Sequence, residues 1–454
     1  MTVNVGKFEL EISKKIAATT DSKELLMLTT ALKQIKSGTV DYVANYASLP
    51  TASCYRGKMF FVDSECLVYW STGSKWISIK SSNAATTLWT WGYNGFGQLG
   101  TSNTTDRSSP VTTAAVGVTT WRQIDAGVWF STAVKTDGTL WAWGQGGSGQ
   151  LGTGNSSNYC SPVTTAGGGT NWIQVSAGTA STAAIKTDGT LWTWGCNGNG
   201  QLGTGNTTNR CSPVTTVAGG TNWCQVSTNG SCIAGVSEGL TAAIKTDGTL
   251  WLWGINNSGQ LGTGNTTNYS SPVTTVAGGT NWCQVSIGSY AYSTAIKTDG
   301  TLWTWGCGQV RTLGDGGATD RSSPVTTAGG GTNWCQVSAG AVVVIALKTD
   351  GTLWTWGSAN GGVLGTGDGN FRLTPSTTAG GGTNWCQVSG GYYTSFAVKT
   401  DGTLWTWGCN GNGQLGTGNT TNYSSPVTTV AGGTNWCQVS AGAAHAMGLT
   451  VTTY

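Results

Sequence analysis

Few residues of this 454-residue sequence have side chains that bind metals or catalyse reactions. The one histidine, His445 in GAAHAM, excludes a histidine metal triad and is typical of a buried structural residue. Glycosidases use two carboxylates that flank the scissile bond. The acids of the repeated region that lie outside its T-D-G turns are scattered, with no repeated partner: Asp106, Asp125, Glu238, Asp315, Asp320 and Asp368. We therefore expect no enzyme, no metal site and no cofactor.

Eight of the thirteen cysteines follow two recurring patterns. The equivalent slots of other copies hold Arg122, Ile173 or Ser358, which a disulfide framework would not tolerate. This pattern favours small buried apolar side chains over disulfides or thiolate ligands, and synthesis in a reducing cytoplasm. The cysteines after N-W are Cys224, Cys283, Cys335, Cys386 and Cys437, and those after W-x-W-G are Cys196, Cys307 and Cys409.

A repeat of about 51 residues organises the chain from residue 83 onward. The motif W-x-W-G begins at seven tryptophans, and only one interval is longer than 52 residues. Each unit contains two short alternating segments joined by T-D-G, and Asp-Gly between such segments predicts a tight β-hairpin. Four short strands per unit, repeated seven times, predict an all-β fold, a seven-bladed β-propeller. The seven tryptophans are Trp89, Trp141, Trp192, Trp251, Trp303, Trp354 and Trp405.

The two ends of the array complement each other. The last unit stops at HAMGLTVTTY without a following W-x-W-G, and the first begins ATTLWTWG without a preceding hairpin. We therefore expect one blade to pair the strand near Leu88–Trp91 with residues near Ala444–Thr450. Such pairing removes an open sheet edge.

The segments LWTWGCNGNGQLGTGNTTNRCSPV and CQVSAGAAHAMGL resemble the regulator of chromosome condensation repeat. The resemblance covers about 370 residues and implies the same seven-bladed fold. In similar members of that family, the face formed by the loop after the first strand of each blade makes the main protein contact.

Residues 1–82 differ from the array in composition and charge. The segment DSKELLMLTTALKQIK over Asp21–Lys36 predicts a helix with Leu25, Leu28, Leu32 and Ile35 as an a/d seam, for packing on its own chain or for self-association as a homo-oligomer. Three alternating bursts in GKMFFVDSECLVYWSTGSKWISI predict a small β-meander. This stretch resembles a module of tailed-phage structural proteins. We predict an anchor at 1–38, a meander module at 39–82 and the propeller at 83–454.

The near-identical units differ most in the loop after the first strand. We predict that this loop carries the binding surface, because aromatic residues are enriched where proteins bind one another. The alternative is that these side chains fill the channel mouth. The aromatic candidates are Trp129, Phe130, Tyr290, Tyr292, Tyr392 and Tyr393. A second variable set in longer loops contains Arg210, Arg311 and Arg372, with Asp315, Asp320 and Phe371.

Together these features favour a phage virion surface protein, a fibre or adhesin made in the host cytoplasm. Residues 1–82 would bind other virion proteins, and the propeller would bind a host receptor or partner protein. The alternative is a soluble protein-binding propeller, an inhibitor or interaction hub. The array holds equal numbers of basic and acidic residues, so we expect no nucleic-acid binding. No long apolar run predicts a membrane span.

Overall fold

The computed structural model describes residues 41–43, 59–62, 67–71, 76–79, 85–114, 121–229 and 239–452. The chain divides into two compact units, residues 1–85 with 452–454 and residues 86–451. The predicted helix over Asp21–Lys36 lies outside the described residues. Within them, no helix has the length and apolar character needed to cross a bilayer.

The first unit contains a four-stranded sheet in the order β1-β2-β3-β4. Its strands are β1 (Asp41–Val43), β2 (Met59–Val62), β3 (Leu67–Ser71) and β4 (Trp76–Ile79). Strands β2 to β4 run antiparallel as a meander. Strand β1 adds a parallel edge, with Tyr42 opposite Phe61. The sequence did not predict β1, because three residues are too short for an alternating pattern.

The described residues of the second unit form seven four-stranded sheets, the blades of a propeller. Strands β5 (Ala85–Gly92) and β6 (Arg107–Thr112) belong to blade 7. Blade 1 contains β7 (Trp121–Ala126), β8 (Phe130–Lys135), β9 (Leu140–Gly144) and β10 (Tyr159–Thr164). Blade 2 contains β11 (Trp172–Ala177), β12 (Ser181–Lys186), β13 (Leu191–Gly195) and β14 (Arg210–Thr215). Blade 3 contains β15 (Trp223–Asn229), β16 (Leu240–Lys245), β17 (Leu250–Gly254) and β18 (Tyr269–Thr274).

Blade 4 contains β19 (Trp282–Gly288), β20 (Tyr292–Lys297), β21 (Leu302–Gly306) and β22 (Arg321–Thr326). Blade 5 contains β23 (Trp334–Ala339), β24 (Val343–Lys348), β25 (Leu353–Gly357) and β26 (Arg372–Thr377). Blade 6 contains β27 (Trp385–Gly390), β28 (Thr394–Lys399), β29 (Leu404–Gly408) and β30 (Tyr423–Thr428). Blade 7 is completed by β31 (Trp436–Ala441) and β32 (His445–Thr452). One single-turn 3-10 helix, Asn360–Gly362, follows β25. The first strand of each blade lines the central channel.

The repeated K-T-D-G-T-L-W segment builds a hairpin whose residues bond to one another. In blade 1 the Asp137 carboxylate accepts hydrogen bonds from the backbone N–H and the hydroxyl of Thr139, at 2.8 and 2.7 Å. Gly138 has φ of 81°, which favours glycine. The Thr139 hydroxyl in turn accepts the indole N–H of Trp141 at 2.8 Å. The turn acids are therefore turn formers, as the sequence predicts.

The lysine of the same segment is held between two tryptophan rings. The Lys135 ammonium lies 4.0 Å from the centre of the Trp141 ring and 5.1 Å from that of Trp121. Such cation–π contacts stabilise the lysine charge against the two rings. Five further blades repeat the arrangement with Lys186, Lys245, Lys297, Lys348 and Lys399.

The second tryptophan of W-x-W-G joins neighbouring blades. Trp143 is fully buried and donates its indole N–H to the carbonyl of Gln98, in the loop of the preceding blade, at 2.8 Å. The same bond, at 2.8–2.9 Å, recurs at Trp91, Trp194, Trp253, Trp305, Trp356 and Trp407.

Blade 7 closes the ring as predicted, because β32 lies between β31 and β5. The backbone N–H of Tyr93 donates to the Ala444 carbonyl at 2.8 Å. Trp89 donates its indole N–H to the hydroxyl of Thr450 at 2.9 Å. Thr450 pairs with Trp436 in the register that places lysine opposite tryptophan in the other blades.

The N-W-C cysteines occupy a bulge in the first strand of blades 3 to 7. In blade 6 the register shifts between Trp385 and Gln387, and the thiol of Cys386 between them lies 3.4 Å from the Val398 carbonyl. These thiols form no disulfide and are partly or fully buried, as expected. Cys196 is an exception to the expectation, because it is disulfide-bonded.

We expect the closing strand to be essential for stability. Removing Met447 and all residues after it deletes most of β32, buried Met447 and Leu449, and the partner of β5. The melting temperature should fall sharply in differential scanning calorimetry, since losing one such buried side chain already costs about 2–5 kcal/mol. Removing residues 453–454 alone leaves β32 complete and should change nothing. An unchanged melting temperature in the longer deletion would contradict this closure.

We also expect the inter-blade tryptophan bond to matter more in blade 5 than in blade 4. The Gln260 carbonyl accepts from both Trp305 and the Ser293 hydroxyl, at 2.8 Å each. Val344 occupies the corresponding strand position in blade 5, so Trp356 has no such hydroxyl beside it at the Thr312 carbonyl.

Trp356→Phe should therefore lower the free energy of unfolding by about 1–3 kcal/mol more than Trp305→Phe, because a buried carbonyl loses its donor. Both changes remove the same ring volume, so urea unfolding of the two variants isolates the hydrogen bond. Equal losses would mean that packing alone accounts for the repeated tryptophan.

Candidate functional site

Both variable sets of residues lie at the same end of the propeller. The residue after each W-x-W-G donates its N–H to a carbonyl in the loop that follows the first strand, as Gln145 does to Trp129 at 2.9 Å. The K-T-D-G turns lie at the opposite end of the same strands. We call the first end the loop face and the other the turn face.

Two of the aromatic candidates are not on the surface. Phe130 and Tyr292 begin β8 and β20, where the side chain points between blades, and both are fully buried. The Tyr292 hydroxyl donates to the carbonyls of Gly340 and Val343, at 2.8 and 3.0 Å. Both side chains belong to the core and offer no surface to a partner.

Three of the remaining aromatic candidates form a cluster beside the channel. The Tyr392 ring centre lies 5.7 Å from that of Tyr290 and 5.2 Å from that of Tyr393, in tilted and edge-to-face arrangements. All three rings are half-buried, and Tyr392 lines the channel. A hydrogen bond to Tyr290 and partial burial raise the pKa of Tyr393 to about 12. We call these residues the tyrosine cluster.

Trp129 belongs to a second aromatic cluster that sequence comparison of the loops missed. Its ring lies 5.5 Å from Tyr93 and 5.9 Å from Phe96, centre to centre. Tyr93 directly follows the first W-x-W-G, a slot that is cysteine in three other units. The tyrosine at a position where other units have cysteine is the sequence feature that could have identified this cluster.

Of the loops that carry Arg311, Arg372 and Arg210, the first two contact each other and the third lies apart. The Arg311 guanidinium lies 4.1 Å from the centre of the Phe371 ring, which is 49% exposed. Arg311 has φ of 66° at a position where other units have glycine, so the stacked side chain is held on a strained backbone. Arg372 pairs with Asp368 at 2.6 Å. Arg210 begins β14 in blade 2, away from this group.

The central channel is surrounded by a ring of side-chain hydrogen bonds between blades. In the repeated Q-V-S segment, the glutamine and serine oxygens accept backbone N–H groups from the first strand of the next blade. Gln284 accepts from Val337 at 2.9 Å, and Ser286 from Ala339 at 3.0 Å. All seven blades in the described region make both bonds, at 2.8–3.2 Å. The sequence analysis did not predict this role.

One position of the serine ring is an acid. Asp125 replaces the serine in blade 1 and accepts hydrogen bonds from the Ala177 N–H and the Ser440 hydroxyl, both at 2.8 Å. Removal from water raises the pKa of Asp125 to about 6, against the opposing effect of these bonds. The channel it lines has a volume of about 140 Å³.

His445 is a core residue, as the sequence predicts. It is buried at the start of β32, with Nε2 3.0 Å from the Ser131 hydroxyl. Burial lowers its pKa to about 3, so the ring is neutral at physiological pH. Among the described residues, no three His, Cys, Asp or Glu side chains are grouped to hold a metal ion.

Seven segments of the chain match the regulator of chromosome condensation (RCC1) repeat: residues 87–134, 137–185, 188–232, 247–292, 299–347, 350–398 and 401–449. The chain belongs to the RCC1 repeat family. Each RCC1 segment begins in, or three residues before, the third strand of one blade and continues through the first strand of the next blade. Every repeat therefore ties two neighbouring blades together covalently.

Curated relatives and solved structures agree with this family. The chain is 32% identical over 311 residues to the ultraviolet-B receptor UVR8 of Arabidopsis thaliana, covering 67% of this chain and 68% of that protein. It is 28% identical over 393 residues to the human E3 ubiquitin-protein ligase HERC2, covering 84% of this chain but only 8% of HERC2. The structure of Saccharomyces cerevisiae Prp20p shares the fold, with a TM-score of 0.71, 16% identity and coverage of 82% of this chain and 93% of that one.

The acid in the serine ring predicts a stability that depends on pH. The folded pKa of about 6 lies above the ordinary 3.8, so between these values the folded state keeps a proton that the unfolded state has lost. Stability should therefore fall as the pH rises through this window. In this RCC1 propeller Asp125→Ser restores the residue found in the other six blades and removes the effect.

At neutral pH we expect Asp125→Ser to raise the free energy of unfolding by about 1–3 kcal/mol, and at about pH 4 to leave it nearly unchanged. Urea unfolding across this range measures both quantities. Ser338→Ala, at the same ring position in blade 5, is the control: it keeps Asp125, so its difference in stability from the wild type should be the same at every pH. A gain from Asp125→Ser that is the same at every pH would contradict the stated cause.

Proposed function

We propose that this chain is a protein-binding propeller that acts by binding rather than by catalysis, and that it presents its loop face to a protein partner. The observation that carries the proposal is where the units differ. Their cores and inter-blade bonds are repeated almost without change, while half-exposed aromatic and charged side chains gather on one face. The tyrosine cluster beside the channel is the centre of this surface.

The properties of the tyrosine cluster suit a protein interface. Tyrosine offers a large, rigid and amphipathic surface, and such side chains dominate the binding energy of interfaces. The Arg311–Phe371 pair adds an exposed ring and a cation on the same face. Relatives of this chain include a receptor and a ubiquitin ligase, and Prp20p, which shares the fold, has binding properties toward Gsp1p and histones. Recognition of a protein by the propeller is consistent with these relatives.

A virion role is a narrower form of the proposal. It depends on the resemblance of residues 39–82 to a tailed-phage module, with residues 1–82 as the attachment segment. None of the relatives named above is a virion protein, so the general binding role is the better supported one. Mass spectrometry of purified particles tests the narrower form directly.

Photo-crosslinking can find the partner and test the face. A benzophenone amino acid at position 393 on the loop face should capture a specific protein. The same amino acid at Thr400, which follows the other end of β28, should not. Equal capture at the two positions would argue against a loop-face site.

With the purified partner, Tyr392→Ser combined with Tyr393→Ser should weaken binding by about 1–3 kcal/mol, because both rings would leave the interface. Isothermal titration calorimetry measures this loss. The melting temperature should change little, since both rings are half-exposed. A large loss of stability with unchanged affinity would indicate that the tyrosines only fill the channel mouth.

A further inference from the structure

We propose that the central channel binds the ammonium group of a lysine side chain, which the partner protein inserts at the loop face. That a partner protein supplies the lysine rests on the proposed function. That the channel binds an ammonium group is argued from the residues of this chain alone. Three features support it: the charge of the ring, its free hydrogen-bonding capacity and the aromatic residues at its mouth.

The ring carries one unbalanced negative charge. Of the described residues that line the channel, Asp125 is the only one with a charged side chain, and no lysine, arginine or histidine is among them. Its hydrogen-bond donors are backbone amides and serine hydroxyls, which are dipoles and not cations. A partly buried carboxylate whose hydrogen-bond donors are all neutral is stabilised most by an opposite charge. The channel therefore selects for a cation.

The other ring members can complete the coordination of an ammonium group. The hydroxyl oxygens of Ser227, Ser286, Ser338 and Ser389 each accept one backbone N–H from the next blade. A hydroxyl oxygen has two lone pairs, so each serine retains a second acceptor position. An ammonium group has three donors that rotate freely, and a ring of oxygens around the channel satisfies them.

The channel mouth suits the methylene stem and charge of lysine. Tyr392 lines the same channel as Asp125, and its ring is packed against Tyr290 and Tyr393. Aromatic faces attract cations and also pack against methylene groups. A volume of about 140 Å³ admits a slender chain with a compact charge. The broad guanidinium of arginine, with five donors in a fixed plane, matches this ring less well.

The test is a titration of the full chain, without partner, with Nα-acetyl-lysine methylamide at neutral pH, followed by NMR. We expect saturable binding with shifts at the channel residues, and no saturable binding by the norleucine analogue, which lacks the charge. Asp125→Ser should weaken the lysine probe by about tenfold or more, which corresponds to one lost charge contact. Wild-type protein that does not bind the lysine probe, or Asp125→Ser that binds it equally well, would overturn the proposal.

The repeat supplies a relocation control. In the double variant Asp125→Ser with Ser286→Asp, the carboxylate moves to the equivalent ring position of blade 4. Binding should return to within about threefold of the wild-type value, because the channel axis is shared by all blades. A folded double variant that does not bind would show that the charge does not act across the channel. Tighter binding of the arginine analogue would overturn the choice of lysine.

The two proposals can fail separately. This titration uses no partner, so lack of lysine binding leaves the crosslinking result at position 393 unaffected. Conversely, a channel that binds the probe while position 393 captures no partner would support the site and contradict the loop-face function.

Discussion

The innermost strand of each blade is an edge strand, and its unpaired N–H groups set the main constraint on this fold. An exposed strand edge invites pairing with other chains, and a buried edge without partners destabilises the fold. Here the glutamine and serine of Q-V-S in one blade accept the edge N–H groups of the next. The ring is complete only when the seventh blade meets the first. The inner-edge N–H groups of all seven blades therefore find acceptors only when the ring is closed.

This constraint explains why polar residues persist in the most enclosed part of the propeller. An apolar residue in place of Gln284 would leave the Val337 N–H without its acceptor. The hydrogen bonds from tryptophan to a loop carbonyl of the preceding blade also hold neighbouring blades together, farther from the channel axis. Each blade is thus held to its neighbour both around the channel and between the sheets, independently of what its loops contain.

Much of the fold could be predicted from the sequence, because the repeat makes local signals count seven times. The T-D-G hairpin, the buried tryptophans and the closing blade all follow from spacing and turn chemistry. The role of Q-V-S could not, since a strand pattern does not reveal which strand is an edge or what faces it. Site prediction was limited for a similar reason. Tyr290 and Tyr292 lie two residues apart, and the start of β20 at Tyr292 determines that Tyr292 is buried while Tyr290 is half-exposed. The disulfide at Cys196 was hidden because the other copies at that position are free or are not cysteine.

Near-identity of the blades also creates a problem of partner choice during folding. When every interface is the same, a second strand can pair with the third strand of the wrong unit, and misassembly of this kind is a characteristic failure of repeat proteins. Blade 7 differs in the contact that joins its two chain segments. Six blades place a lysine between two tryptophans, whereas Thr450 meets Trp89 through a neutral hydrogen bond. The last strand of the array therefore makes a contact with Trp89 that differs from the lysine contacts of the other six blades. This difference favours pairing of the two ends of the array with each other over pairing with an internal unit.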